Sequence, residues 1–153
     1  MSSISGLPAH ILFNHLVVVL MPLTAILLIV CALWAEARRR LIWLVLILAA
    51  VTLVVTPLTV RAGEWLGEHV DPSPTLNSHM SVGETGNYIA AGLFVAAALL
   101  AGLHVRLTRG RPVRPVLRWA LVVLVIAVAG TTMVQVHRIG ESGARAAWGG
   151  CCQ

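Results

Sequence analysis

"LPAHILFNHLVVVLMPLTAILLIVCALWAEARRR", residues 7–40, carries no acidic or basic side chain before Glu36 and then closes on three arginines. About 20 consecutive apolar residues suffice for a helix to cross the hydrocarbon core of a bilayer. The run is long enough, yet it opens with His10, Asn14 and His15. Polar groups are costly in a membrane unless something satisfies them, so their presence at one end of the span asks for a reason.

Three further stretches have the same character, between Arg40 and Arg61, Glu84 and Arg106, and Arg118 and Arg138. Helices are expected at roughly 10–35, 41–61, 83–106 and 115–137, with 138–153 as a tail. The whole chain of 153 residues is 58% hydrophobic and 11% charged, with mean hydropathy +0.88. Soluble domains carry about 25% charged residues. Backbone groups in lipid must be satisfied internally, and runs this continuous do so as helices. The expected fold is therefore an all-α integral membrane protein, a single domain of four transmembrane helices. A short amphipathic segment, "GEWLGEHV" (63–70), is expected to lie on the interface between helices two and three. Pro57 should bend the end of helix two.

The sequence pI of about 10.5 does not point to nucleic acid. All eleven basic residues are Arg, and eight fall in two short loops, 36–40 and 106–118. That asymmetry is the positive-inside signal, so both loops are expected in the cytoplasm and both termini outside. A chain with Arg but no Lys, rich in Ala and Val, suggests a GC-rich bacterial genome, hence a bacterial inner membrane. The competing reading of the first run, a cleaved signal peptide, needs a positive n-region and a shorter apolar stretch. Residues 1–9 lack a basic side chain.

This topology sorts the histidines. His10, His15, His69, His79 and His137 fall on the outer side, and His104 on the inner. Packed helix axes lie 8–10 Å apart, so the outer ends of helices one, three and four can converge. His10, His15, His79 and His137 are candidate cofactor-binding residues for haem b, because imidazole is the usual axial ligand of haem and the commonest metal ligand. A soft metal such as copper would draw on His15, His79, Met133 and His137, since Met133 and His137 are spaced i, i+4 and thioether with imidazole is a copper-type set. Glu64, Glu84 and Glu141 are candidate orienting acceptors. Proton or redox-carrier handling is a further use. The plain alternative is a non-catalytic scaffold or assembly subunit whose histidines only make hydrogen bonds at the interface.

Helix three is dense in small residues, Gly92, Ala96, Ala98 and Gly102, which permit close contact in lipid; it is expected at the bundle centre. Cys31 reads as a small packing residue, and adjacent Cys151 and Cys152 as a frayed tail, an intermolecular link or a metal trap. "RIGESGARAAW" (138–148) reads as a turn returning Trp148 to the interface, or as a strap bringing Glu141 over the bundle mouth. No P-loop, dinucleotide fingerprint, G-x-S-x-G, H-E-x-x-H or C-x-x-C motif is present, so no enzyme class is indicated. Expected partners are membrane lipid and a respiratory or other membrane complex or a second copy, not nucleic acid.

Four blocks, "LPAHILFNHLVVVLMPL" (7–23), "TPLTVRAGEWL" (56–66), "SHMSVGE" (78–84) and "RIGESGARAAW" (138–148), resemble in that order the bacterial membrane family named domain of unknown function 2231. The resemblance rests on His10, His15, Pro22, Pro57, Gly63, Glu64, Trp65, His79, Gly83 and the Gly140-to-Trp148 block, and covers nearly the whole chain. Ile11 departs from it where the family often has Pro. It implies four helices and no known activity. The histidine placement is similar to that of small monohaem and dihaem cytochrome b proteins, which is an analogy of fold rather than of site.

Overall fold

The computed structural model describes residues 9–67 and 74–148. They form α1 (Ala9–Leu33), α2 (Ala35–Gly67), α3 (Pro74–Glu84), α4 (Gly86–Thr108) and α5 (Pro115–Trp148), with no strand among them. Four spans are long and apolar enough to cross a membrane: Asn14–Leu33, Ala35–Trp65, Pro74–Thr108 and Pro115–Arg145. The chain is an all-α four-helix membrane bundle.

The helices form a ring in which α1 packs on α2 and α5, and α4 packs on the same two from the opposite side. Buried positions recur every three or four residues, as one face of a 3.6-residue helix requires. On α1 they are Met21, Ala25, Leu28 and Cys31; on α2 Ile42, Val45, Ala49 and Thr52; on α5 Val122, Val125, Ala129 and Thr132. Bulky apolar side chains lie outside: Val19 and Ile26, Ile47 and Val54, Val95, Val123 and Val134 are all exposed. An apolar exterior around an alanine- and threonine-rich seam is what lipid demands. Lipid tails are as apolar as leucine, so association relies on close backbone approach. Buried Thr24, Thr52, Thr56 and Thr132 return their hydroxyl protons to carbonyls one turn back, at 2.7–2.8 Å. Their polar groups therefore stay satisfied in a dry interior.

Trp34, Trp43 and Trp119 are exposed at one end, and Trp65 and Tyr88 at the other, as interfacial aromatics are. At the first end, the arginine end, only Trp34 separates α1 from α2. Arg38, although only 4% exposed, donates from Nη1 to the carbonyls of Cys31 and Ala32 at 3.1 and 3.4 Å. A cation on the last carbonyls of α1 suits the negative end of its dipole. The α4–α5 turn closes on Gly110, at φ +68°, where a side chain would be strained. Pro115 then opens α5, where its missing N–H costs nothing.

Two sequence expectations change at the opposite end. Residues 61–67 belong to α2, which continues past Pro57, and the short helix between the second and third spans is α3, starting at Pro74. His69 and Asp71 lie outside the described residues. Residues 138–148 are neither tail nor strap: they extend α5 by three turns, helped by alanines and by Arg145 donating to Glu141, one turn back, at 2.6 Å. Only Thr85, itself helical at φ −63°, ψ −20°, separates α3 from α4. At 33 and 34 residues, α2 and α5 are about 50 Å long against a hydrocarbon core of about 30 Å. Their last turns, with α3 between them, therefore extend the bundle beyond the apolar layer.

The expected central position of the third span holds for Ala96, which is buried, and fails for Gly102, which is exposed with nothing within 4 Å of where a side chain would begin. Gly92 is intermediate and meets Val128 only at ordinary contact distance, 3.8 Å. Opposite α4, across the ring, α1 touches it little.

Candidate functional site

At the α3 end the bundle holds a partly open cavity of about 150 Å³, walled by all five helices. Its walls are mainly apolar. From α1 come Asn14, Val17 and Met21, which share one helical face. From α2 come Thr56, Thr59 and Glu64, with Gly63 and Gly67 leaving room beside them. Gly86 and Ile139 close the far side, and α3 contributes His79 and Met80.

Two glycines seat these α3 side chains. A Cβ on Gly143 would stand 3.1 Å from His79 Cε1, and one on Gly67 would stand 2.9 Å from Met80 Sδ. The imidazole and the thioether therefore lie against bare backbone of α5 and α2. Gln135 of α5 adds a polar fastening to the end of α3, donating to Thr85 Oγ1 and to Val82 O at 3.5 Å. Close by in sequence, Asn87 Oδ1 is buried with no hydrogen-bond partner among the described residues.

His79 is oriented through Nδ1, which lies 2.9 Å from Ser142 Oγ. Ser142 Oγ in turn donates to Ile139 O at 3.0 Å. A hydroxyl has one proton, so the assignment satisfying both contacts makes Nδ1–H the donor to Ser142. In that assignment Nε2 is the acceptor nitrogen of the ring.

The other candidates fall elsewhere. Asn14, not His15, enters the cavity; His15 is exposed and lies on a different face of α1. His10 belongs to α1, but its side chain lies outside those described. His137 does not join His79. It precedes Ser142 and Gly143 by five and six residues, about 140° and 240° around α5, and its side chain is 80% exposed beside Glu141 at 4.0 Å. Met133, partly buried, packs on the hydrophobic core away from the cavity wall. The set His15, His79, Met133 and His137 is thus dispersed. Among the described residues no group of three or more His, Cys, Asp or Glu side chains is placed to hold a metal ion.

Of the three expected acceptors, Glu64 reaches the cavity, Glu84 is exposed outside it, and Glu141 pairs with Arg145 and His137 instead of folding over the mouth. His104 is at the arginine end, as expected. Sequence reasoning missed Gly67, Gly143 and Ser142 as supports. Glycines that would cost about 1 kcal/mol each inside a helix were the available signal that a neighbour occupies their space.

No model of a known protein family, no curated protein and no solved structure matches this chain.

Proposed function

We propose that this protein is a membrane-embedded binding module whose α3-end cavity takes a small, largely apolar molecule carrying at least one polar hydroxyl, such as a phenol or quinol ring, with the His79 imidazole at the polar edge of the site. The observation that carries this is the fixed imidazole: Ser142 holds Nδ1 while the same ring lines an apolar cavity. Binding sites are typically concave and apolar with a few placed polar groups. About 150 Å³ is the volume at which an apolar cavity accepts a single aromatic ring. Glu64 and Asn14 supply the remaining polar edge.

Haem b would need room for a macrocycle and, in a dihistidine site, a second imidazole, whereas among the described residues His79 is the imidazole that lines this cavity. A soft metal ion is the second reading, favoured by Met80, whose thioether shares the cavity with His79 and Glu64. The resemblance to domain of unknown function 2231 and the arginine asymmetry support a bacterial inner membrane with the cavity end outside and the arginine end in the cytoplasm.

The test is a binding titration of detergent-purified protein against membrane-soluble phenols and quinols, Cu(I) and haem b, read by thermal shift and absorption. Binding of the ring compounds that is lost in His79→Ala supports the reading. Ring binding indifferent to His79→Ala, or none, overturns it. A Soret band or copper stoichiometry lost in the same variant would put haem or metal there instead.

A further inference from the structure

A second recess lies at the arginine end, far from the cavity. Between α4 and α5 runs a groove of about 500 Å³, floored by Ala98 and Gly102 and walled by Leu117, Leu121 and Leu124. The two helices are in contact at Gly92 and Val128, but at Gly102 nothing approaches within 4 Å of a built side chain. Small residues on α4, Ala98 and Gly102, leave the groove open between them and the leucines of α5. Among the described residues, Arg106 is the charged residue that lines the groove.

The charge around that end is one-sided. Arg106, Arg109, Arg111, Arg114 and Arg118 are all exposed, and there is no carboxylate anywhere from 85 to 140. Glu36, the acidic residue at this end, is already engaged by Arg39 and Arg40. A second copy meeting this face would bring two sets of five arginines together, which repels. A neutral lipid would fill the groove but leave the arginines unanswered. Basic residues beside a gap between membrane helices are the arrangement that receives an anionic lipid headgroup.

We propose that the α4–α5 groove is a binding site for an anionic phospholipid of the adjacent leaflet, one acyl chain lying on Ala98 and Gly102 and the phosphate on Arg106. The apolar trough supplies the length, and Arg106 fixes the depth at which the headgroup stops. The neighbouring arginines raise the local concentration of anionic lipid without selecting a position.

Native mass spectrometry of the full chain, exchanged into detergent with equal phosphatidylglycerol and phosphatidylcholine of the same acyl chains, tests this. The wild type should retain phosphatidylglycerol preferentially. Arg106→Gln should lower that retention about five-fold, the worth of one basic residue beside an anionic surface. Gly102→Leu, which fills the groove and leaves every arginine in place, should reduce it to the phosphatidylcholine level while melting like the parent in lipid-free detergent. Equal retention of the two lipids by the wild type overturns the proposal. So does undiminished phosphatidylglycerol on Gly102→Leu, which would mean diffuse surface attraction, or a dimer lost in that variant, which would make the occupant a second copy. Should Gly102→Leu fail to fold, Ala98→Leu, at another exposed position on the groove floor, replaces it, with the same outcomes deciding.

Discussion

The His79 ring lies against Gly143, closely enough that a Cβ there would come within 3.1 Å of Cε1, while its Nδ1 sits 2.9 Å from Ser142 Oγ. Two consecutive residues of α5 thus set the position of one imidazole and hold its Nδ1. Nitrogen-15 spectra of labelled protein should show His79 with its proton on Nδ1. Ser142→Ala should return it to a tautomer mixture and weaken ring-compound binding about ten-fold, near the worth of one buried hydrogen bond. An unchanged tautomer in Ser142→Ala would break this account.

Gly140 and Gly143 lie on the same helix in different surroundings, since nothing approaches a built Cβ at Gly140. Gly140→Ala should stabilise by up to about 1 kcal/mol through helix propensity. Gly143→Ala gains the same propensity but must displace the imidazole, an overpacking cost of about 1–3 kcal/mol. Thermal unfolding in one detergent should therefore rank Gly140→Ala above the parent and Gly143→Ala at or below it.

Gly67 and Met80 should behave as a coupled pair. Gly67→Ala alone pushes on the thioether, and Met80→Ala alone leaves a gap. The double variant relieves both, so the cycle should give an interaction of about 0.5–3 kcal/mol. Additive effects would mean that α3 is not seated on α2 at this point.

Arg38 is buried on the carbonyls of Cys31 and Ala32, whereas the Arg39 side chain is 72% exposed. Arg38→Met should lower stability by about 1–3 kcal/mol, because two charge-assisted hydrogen bonds are lost. Arg39→Gln, at an exposed ion pair, should cost well under 1 kcal/mol. Denaturation midpoints of the two variants check the contrast.

Orientation is open to a direct measurement. With Cys151 and Cys152 removed, Ser78→Cys should react with impermeant thiol reagents in intact cells, and Thr108→Cys should not. Reversed labelling would place the arginine end outside.

The number of spans was legible because the lipid requirement acts on each segment separately. Uncharged runs between Arg40 and Arg61, or Arg118 and Arg138, specify a membrane helix whatever packs beside them. The segments beyond the lipid were less legible. "RIGESGARAAW" has two glycines and no apolar stripe long enough to announce a helix, yet it continues α5, with α3 packed against that helix.

For the site, the order of spans and loops already gathers polar residues at one end: His10, Asn14, His15, Glu64 and His79 all map there without any knowledge of packing. Which of them meet was decided only by the tertiary structure. Rotation about each helix axis turns Asn14 inward and His15 out, and places His137 on the far face of α5 from Ser142. That rotation follows from close contacts between helices. Gly143 under His79 and Gly67 under Met80 are contacts between residues 64 and 13 positions apart in the chain, which no local pattern encodes.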